Sequence, residues 1–108
     1  MAIGTYEQYK ERLLKMKPNV YLNGTCVDRS NGKEGPERDL ADWIKGGTYV
    51  MKQCYDVAND PDYADVCIAT SHITGEKINR CTHIHHSQED LLKKQLMTRL
   101  ICHRVGGC

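Results

Sequence analysis

The sequence has no phenylalanine, a single tryptophan and only three prolines. A core built without Phe must rely on Leu, Ile, Val, Met and Tyr, so it will be thin and open to help from neighbouring chain or a partner. No apolar run approaches the ~20 residues that a membrane-spanning helix needs. Met1 to Lys10 lacks the charged start and apolar stretch of an export signal. A cytoplasmic protein is the expectation. Charge of one sign is also lacking, since the net charge is +1. That gives no general attraction to nucleic acid or to an acidic membrane. A Gly-rich phosphate loop is absent too, because Gly46-Gly47 and Gly106-Gly107 do not fit the pattern such a loop requires.

What is present is cysteine and histidine. Cys26, Cys54, Cys67, Cys81, Cys102 and Cys108 make six thiols in 108 residues. A reducing compartment argues against disulfides, and buried thiols are then the simplest reading of most of them. Cys67 to His86 carries four of the five histidines. Within it, Cys81-Thr82-His83-Ile84-His85-His86 places thiolate and imidazole at alternate positions. On an extended strand Cys81, His83 and His85 would share one face and could serve Zn²⁺. Neither Cys-x-x-Cys nor His-x₃-His spacing supports the set. Its competing reading is a loop whose imidazoles bond to backbone or face a partner.

The local pattern is mainly α. Thr5-Tyr6-Glu7-Gln8 is a capping box, and Tyr6, Tyr9, Leu13 and Met16 follow at helical spacing until Pro18 stops them. Val20 to Val27, with Asn23-Gly24 at its centre, predicts a short β-hairpin with a type I′ turn. Asp28 to Asp39 reads as a charged loop. A second helix is expected over Thr48 to Asn59, with Gly46-Gly47 separating it from a short turn at Leu40–Lys45 and Pro61 beyond its end. Asp62 to Val66 could add a helical turn. Ser87 caps a third helix, with Asp90 at its N3 position. Leu91, Leu92, Leu96, Met97, Leu100 and Ile101 give that helix a broad apolar face. Such a face near residue 108 predicts something further to pack on.

The order of these features resembles a known family. Thr5 to Tyr9, Pro18 to Gly24, Tyr55 to Pro61, Ile78-Asn79-Arg80, His83-Ile84-His85, Ser87, Glu89 to Lys94 and Met97 to Leu100 are similar to the start of the 4-hydroxyphenylacetate 3-hydroxylase / 4-hydroxybutyryl-CoA dehydratase family. The likeness leaves out only the charged loop, yet it matches just the opening part of a typical member. Asn79-Arg80, His85, Lys93-Lys94, Met97 and Arg99-Leu100 look more like the dehydratase (vinylacetyl-CoA Δ-isomerase) branch than the flavin monooxygenase branch.

The resemblance implies an acyl-CoA-dehydrogenase-like fold, of which residues 1–108 are the N-terminal helical domain. The β domain and the C-terminal helical domain would lie elsewhere. It implies FAD and a [4Fe–4S] cluster in the whole enzyme, an acyl-CoA substrate and a homotetramer. It places the first cluster ligand at Cys108, while the family's other cysteine and histidine ligands fall beyond that position. A cubane needs about four ligands. The expectation is therefore an enzyme segment that is inactive without the remainder of the chain or a complementing subunit. The alternatives are the hydroxylase branch and a stand-alone Cys/His metal-binding or interaction module.

Overall fold

The computed structural model describes residues 3–107. Helix α1 (Tyr6–Lys15) begins as expected. The Thr5 hydroxyl accepts from the Gln8 amide at 3.3 Å, and Gln8 Oε1 accepts from the Thr5 amide at 3.0 Å. Strands β1 (Val20–Leu22) and β2 (Thr25–Val27) form the expected hairpin, with Tyr21 opposite Cys26. Asn23 and Gly24 take φ of +51° and +80°, the left-handed pair that a type I′ turn requires. The hairpin stands out from the body, with Tyr21 and Leu22 exposed. Its base is held by Arg29, which donates to the Lys17 carbonyl and to Asn19 Oδ1.

The charged loop contains one 3₁₀ turn (Gly35–Glu37) and then leads into helix α2 (Asp42–Asn59). This helix corrects the expected break, because it runs straight through Gly46-Gly47. Two glycines disfavour a helix by about 1 kcal/mol each relative to alanine, which anchoring contacts can outweigh. Those contacts are present at the N-terminal end. Leu40 is fully buried, and the Trp43 indole donates to the Asp28 carbonyl at 2.7 Å. The buried Thr48 hydroxyl donates back to the carbonyls of Ile44 and Lys45.

A short helix α3 (Ala64–Cys67) passes directly into β3 (Ile68–Thr70), which pairs with β4 (Lys77–Asn79). This second hairpin adds to the single one expected. Its turn carries no Asn-Gly. Instead the Ser71 hydroxyl accepts from the amides of Ile73 and Thr74, and Gly75 supplies φ of +73°. A second 3₁₀ turn (Arg80–Thr82) leads toward helix α4 (Gln88–Val105). The Ser87 hydroxyl caps α4 by accepting from the Asp90 amide, and Gly106 closes it at φ of +71°.

The core lies between α2, α3 and α4. Cys54, Val57 and Ala58 meet Cys67, Met97 and Ile101, flanked by Ile3, Tyr63, Val66, Ile68 and Leu100. The apolar face of α4 is thus used only in part, since Leu91, Leu92 and Leu96 remain exposed. The mainly α reading holds. Among the described residues, no helix is long and apolar enough to cross a membrane.

Gly46 offers a direct check on the continuous α2. Its φ lies outside the left-handed region, and a Cβ added there would meet nothing within 4 Å. Gly46→Ala is expected to stabilise the chain by about 0.5–1 kcal/mol in urea unfolding. A loss of stability would show that the helix breaks where the sequence pattern places the break.

Candidate functional site

The stretch from β4 into α4 gathers most of the polar chemistry. Asn79 fixes its start: Nδ2 donates to the Cys54 carbonyl on α2, and Oδ1 accepts from the Cys81 amide. Arg80 follows and is only 4% exposed. A buried guanidinium is tolerable only when its donors are used. Here Nε donates to the Val66 carbonyl at 2.6 Å and Nη2 to the Ile68 carbonyl at 2.9 Å. Nη1 meets Asp90 Oδ1 at 3.3 Å. One side chain thus ties the α3–β3 junction to the first turn of α4.

Asp90 sits at N3 of α4, where the sequence suggests a capping-box acid. Its carboxylate does more than that. Oδ2 accepts from the buried His83 Nε2 at 3.1 Å, from the His86 amide at 3.3 Å and lies 3.1 Å from His86 Nδ1. The hydrogen bond from His83 is the main reason its pKa is held down to about 2; burial opposes this, and the His86 amide and the two imidazoles add to it. Lys94 completes the frame by donating to the His83 carbonyl at 3.3 Å.

A third ring joins from the β3–β4 turn. His72 lies with its ring centre 4.7 Å from that of His86 and 5.9 Å from that of His83. One nitrogen from each of His72, His83 and His86 lies within 4.8 Å of the others. The residues proposed from sequence, Cys81, His83 and His85, are distributed differently. Cys81 lies in a 3₁₀ turn, not on an extended strand, so alternation does not carry its side chain to the face of His83. Its sulfur lies 3.8 Å from Met97 Sδ, while His83 turns to Asp90. His85 is exposed. His72 was missed because only the second hairpin brings it near, and no sequence spacing announces that pairing.

Cys81 has a second partner. The buried Cys54 thiol beside it is the main cause that lowers the Cys81 pKa to about 7, with help from the Lys94 ammonium. The neighbouring Cys81 sulfur and burial push the Cys54 thiol up. Both thiols border a recess of about 240 Å³ beside Met51, Tyr55 and Ile78.

Among the described residues, no three cysteines lie within ligand reach of one another. Cys54 and Cys67 are core residues of α2 and α3, Cys26 is exposed on β2, and Cys102 lies on α4. Among the described residues, the only group of three or more Cys, His or carboxylate side chains within ligand reach of one another is the histidine trio. Cys108 lies outside the described residues.

Comparison with known proteins places this geometry in context. The family model described as 4-hydroxyphenylacetate 3-hydroxylase N terminal matches residues 5–108. The chain is 34% identical over 104 residues to the 4-hydroxybutyryl-CoA dehydratase/vinylacetyl-CoA-Delta-isomerase of Clostridium aminobutyricum, covering 96% of this chain and 20% of that protein. It also matches the solved structure of an oxygen-tolerant archaeal 4-hydroxybutyryl-CoA dehydratase from N. maritimus. There the TM-score is 0.76 and the identity 31%, over 99% of this chain and 19% of the other. The chain spans about a fifth of the length of these relatives.

Asp90 has a folded pKa below its ordinary 3.8, so unfolding takes up a proton as the solution is acidified. Its contribution to stability is complete above pH ~4 and is lost as pH falls through about 2. The stability gap between the unmodified chain and Asp90→Asn, followed by urea unfolding at stepped pH, should close across that window. Cys81 should be the first thiol alkylated by iodoacetamide, with a rate midpoint near pH 7 that disappears in Cys81→Ser.

Proposed function

This chain belongs to the 4-hydroxyphenylacetate 3-hydroxylase N-terminal family, and from that premise we propose that it is the N-terminal helical part of a 4-hydroxybutyryl-CoA dehydratase/vinylacetyl-CoA isomerase. The observation that carries this reading is the 34% identity over 104 residues to the clostridial enzyme. The same helical arrangement in the archaeal dehydratase supports it. Residues 1–108 act as one domain, and the β domain and the C-terminal helical domain lie in the rest of the enzyme.

The surface of α4 fits such a segment. Leu91, Leu92 and Leu96 are 42%, 60% and 54% exposed on one helix. Beside Leu91, a recess of about 610 Å³ runs along Gln95, Arg99 and Cys102. An apolar row of this kind, bordered by polar side chains, is the mark of a surface that packs on further protein. On this proposal it meets the remainder of the chain or a complementing subunit within a cytoplasmic homotetramer.

FAD, the [4Fe–4S] cluster and the acyl-CoA site then belong chiefly to that remainder. This segment contributes one cluster thiolate, Cys108, and the scaffold that presents it. The dithiol at Cys54 and Cys81 and the Arg80–Asp90 pair shape that scaffold. They hold neither cofactor, and the segment alone has no dehydratase activity. A second reading, the flavin-dependent 4-hydroxyphenylacetate 3-monooxygenase, is favoured by the name of the matching family model alone.

The test is a chimera in which residues 5–108 replace the matching N-terminal part of the clostridial enzyme. Dehydration of 4-hydroxybutyryl-CoA should be measurable in the chimera. Cys108→Ser should abolish the activity together with the cluster iron and its visible absorption. The isolated chain, reconstituted anaerobically with iron, sulfide and FAD, should retain neither cofactor. Stoichiometric flavin and cluster bands on the isolated chain, or full cluster content in the Cys108→Ser chimera, would contradict the assignment.

A further inference from the structure

We propose that His72, His83 and His86 form a binding site for a divalent cation of the zinc class, built from two separate pieces of the chain and independent of every cysteine. The three rings come from the β3–β4 turn, from the segment after the 3₁₀ turn and from the residue just before the Ser87 cap. One nitrogen from each lies within 4.8 Å of the others. Nitrogens bound to one zinc ion at 2.0–2.1 Å in a tetrahedron lie about 3.4 Å apart. The remaining closure is therefore about 1.4 Å at most, within reach of ring rotation. His72 and His86 are exposed and can rotate, while His83 is buried and fixed.

The surroundings have what such a site requires beyond its ligands. Metal-bound imidazoles are generally oriented by a carboxylate or carbonyl on the other ring nitrogen. Asp90 Oδ2 lies 3.1 Å from His83 Nε2 and from His86 Nδ1, so on this proposal the ion takes the other nitrogen of each ring, His83 Nδ1 and His86 Nε2. Arg80 engages the opposite oxygen, Oδ1, at 3.3 Å, which leaves Oδ2 facing the rings. Lys94 grips the His83 carbonyl and so fixes that residue's backbone. An all-imidazole donor set suits Zn²⁺, Co²⁺, Ni²⁺ and Cu²⁺, whereas Mg²⁺ and Ca²⁺ want oxygen. Three protein ligands leave one position of a tetrahedron for water or another small donor.

The geometry also separates this site from the cysteine-containing alternative in the same stretch. Cys81 is directed to Met97, and His85 takes no part in the trio. Substitutions can therefore tell the two sets apart. The 108-residue chain, stripped with chelator, would be titrated with Zn²⁺ alone by calorimetry and with Co²⁺ alone by visible spectroscopy. One equivalent is expected. The cobalt form should show the visible bands of a nitrogen-bound ion without a thiolate charge-transfer band.

His72→Gln and His86→Gln alter exposed rings, so folding should survive, and far-ultraviolet circular dichroism verifies this. Each removes a ligand and should weaken binding by more than the roughly 10–100-fold that loss of an outer-shell partner costs. Cys81→Ser and His85→Gln should bind like the unmodified chain. Failure to retain zinc, a thiolate band with cobalt, or loss of binding in Cys81→Ser or His85→Gln would overturn the proposal. So would unchanged binding in His72→Gln and His86→Gln.

Discussion

The fold turns on one charged contact: the Arg80 guanidinium, almost wholly out of solvent, set between two backbone carbonyls and the Asp90 carboxylate. Removing the Asp90 carboxylate would leave the buried guanidinium without its anionic partner, which is destabilising. The geometry explains why an arginine stands here. Lysine has a single ammonium and cannot address three acceptors in a planar fork. The contact joins segments far apart in sequence, from Val66 to Asp90. It fixes how α3, the second hairpin and α4 meet, and so where the histidines lie.

The parts of this fold written in local chemistry were legible. The Thr5 capping box, the Asn23-Gly24 turn, the Ser87 cap and the stop before Pro18 each depend on residues within four positions of one another. Two features were not. The continuation of α2 through Gly46-Gly47 depends on Trp43 reaching the Asp28 carbonyl and on Leu40 being buried, contacts that no local window contains. The β3–β4 hairpin has strands of three residues, too short to show alternation, and a turn organised by the Ser71 hydroxyl.

The candidate site was legible only in its neighbourhood. Cysteine and histidine are dense over residues 81–86, and His83 is indeed one of the three clustered rings. Assigning its neighbours required knowing that Arg80 to Thr82 coils as a 3₁₀ turn, which rotates Cys81 toward the core. It also required His72, which approaches only through strand pairing. Asp90 was assigned to the helix cap from its spacing to Ser87. That role falls to its amide, while its carboxylate serves Arg80 and two imidazoles.

That division of labour within Asp90 has a thermodynamic consequence. The residue that opens α4 through its amide is the one whose carboxylate meets His83 and His86, so the two processes share a single residue. By reciprocity, whatever free energy an occupant of the imidazoles gains from an ordered helix start, the helix start gains from the occupant. The first turn of α4 and the rings beside it therefore behave as one linked unit. A perturbation at either end, whether a changed proton or a bound ligand, is felt at the other as a shift in equilibrium.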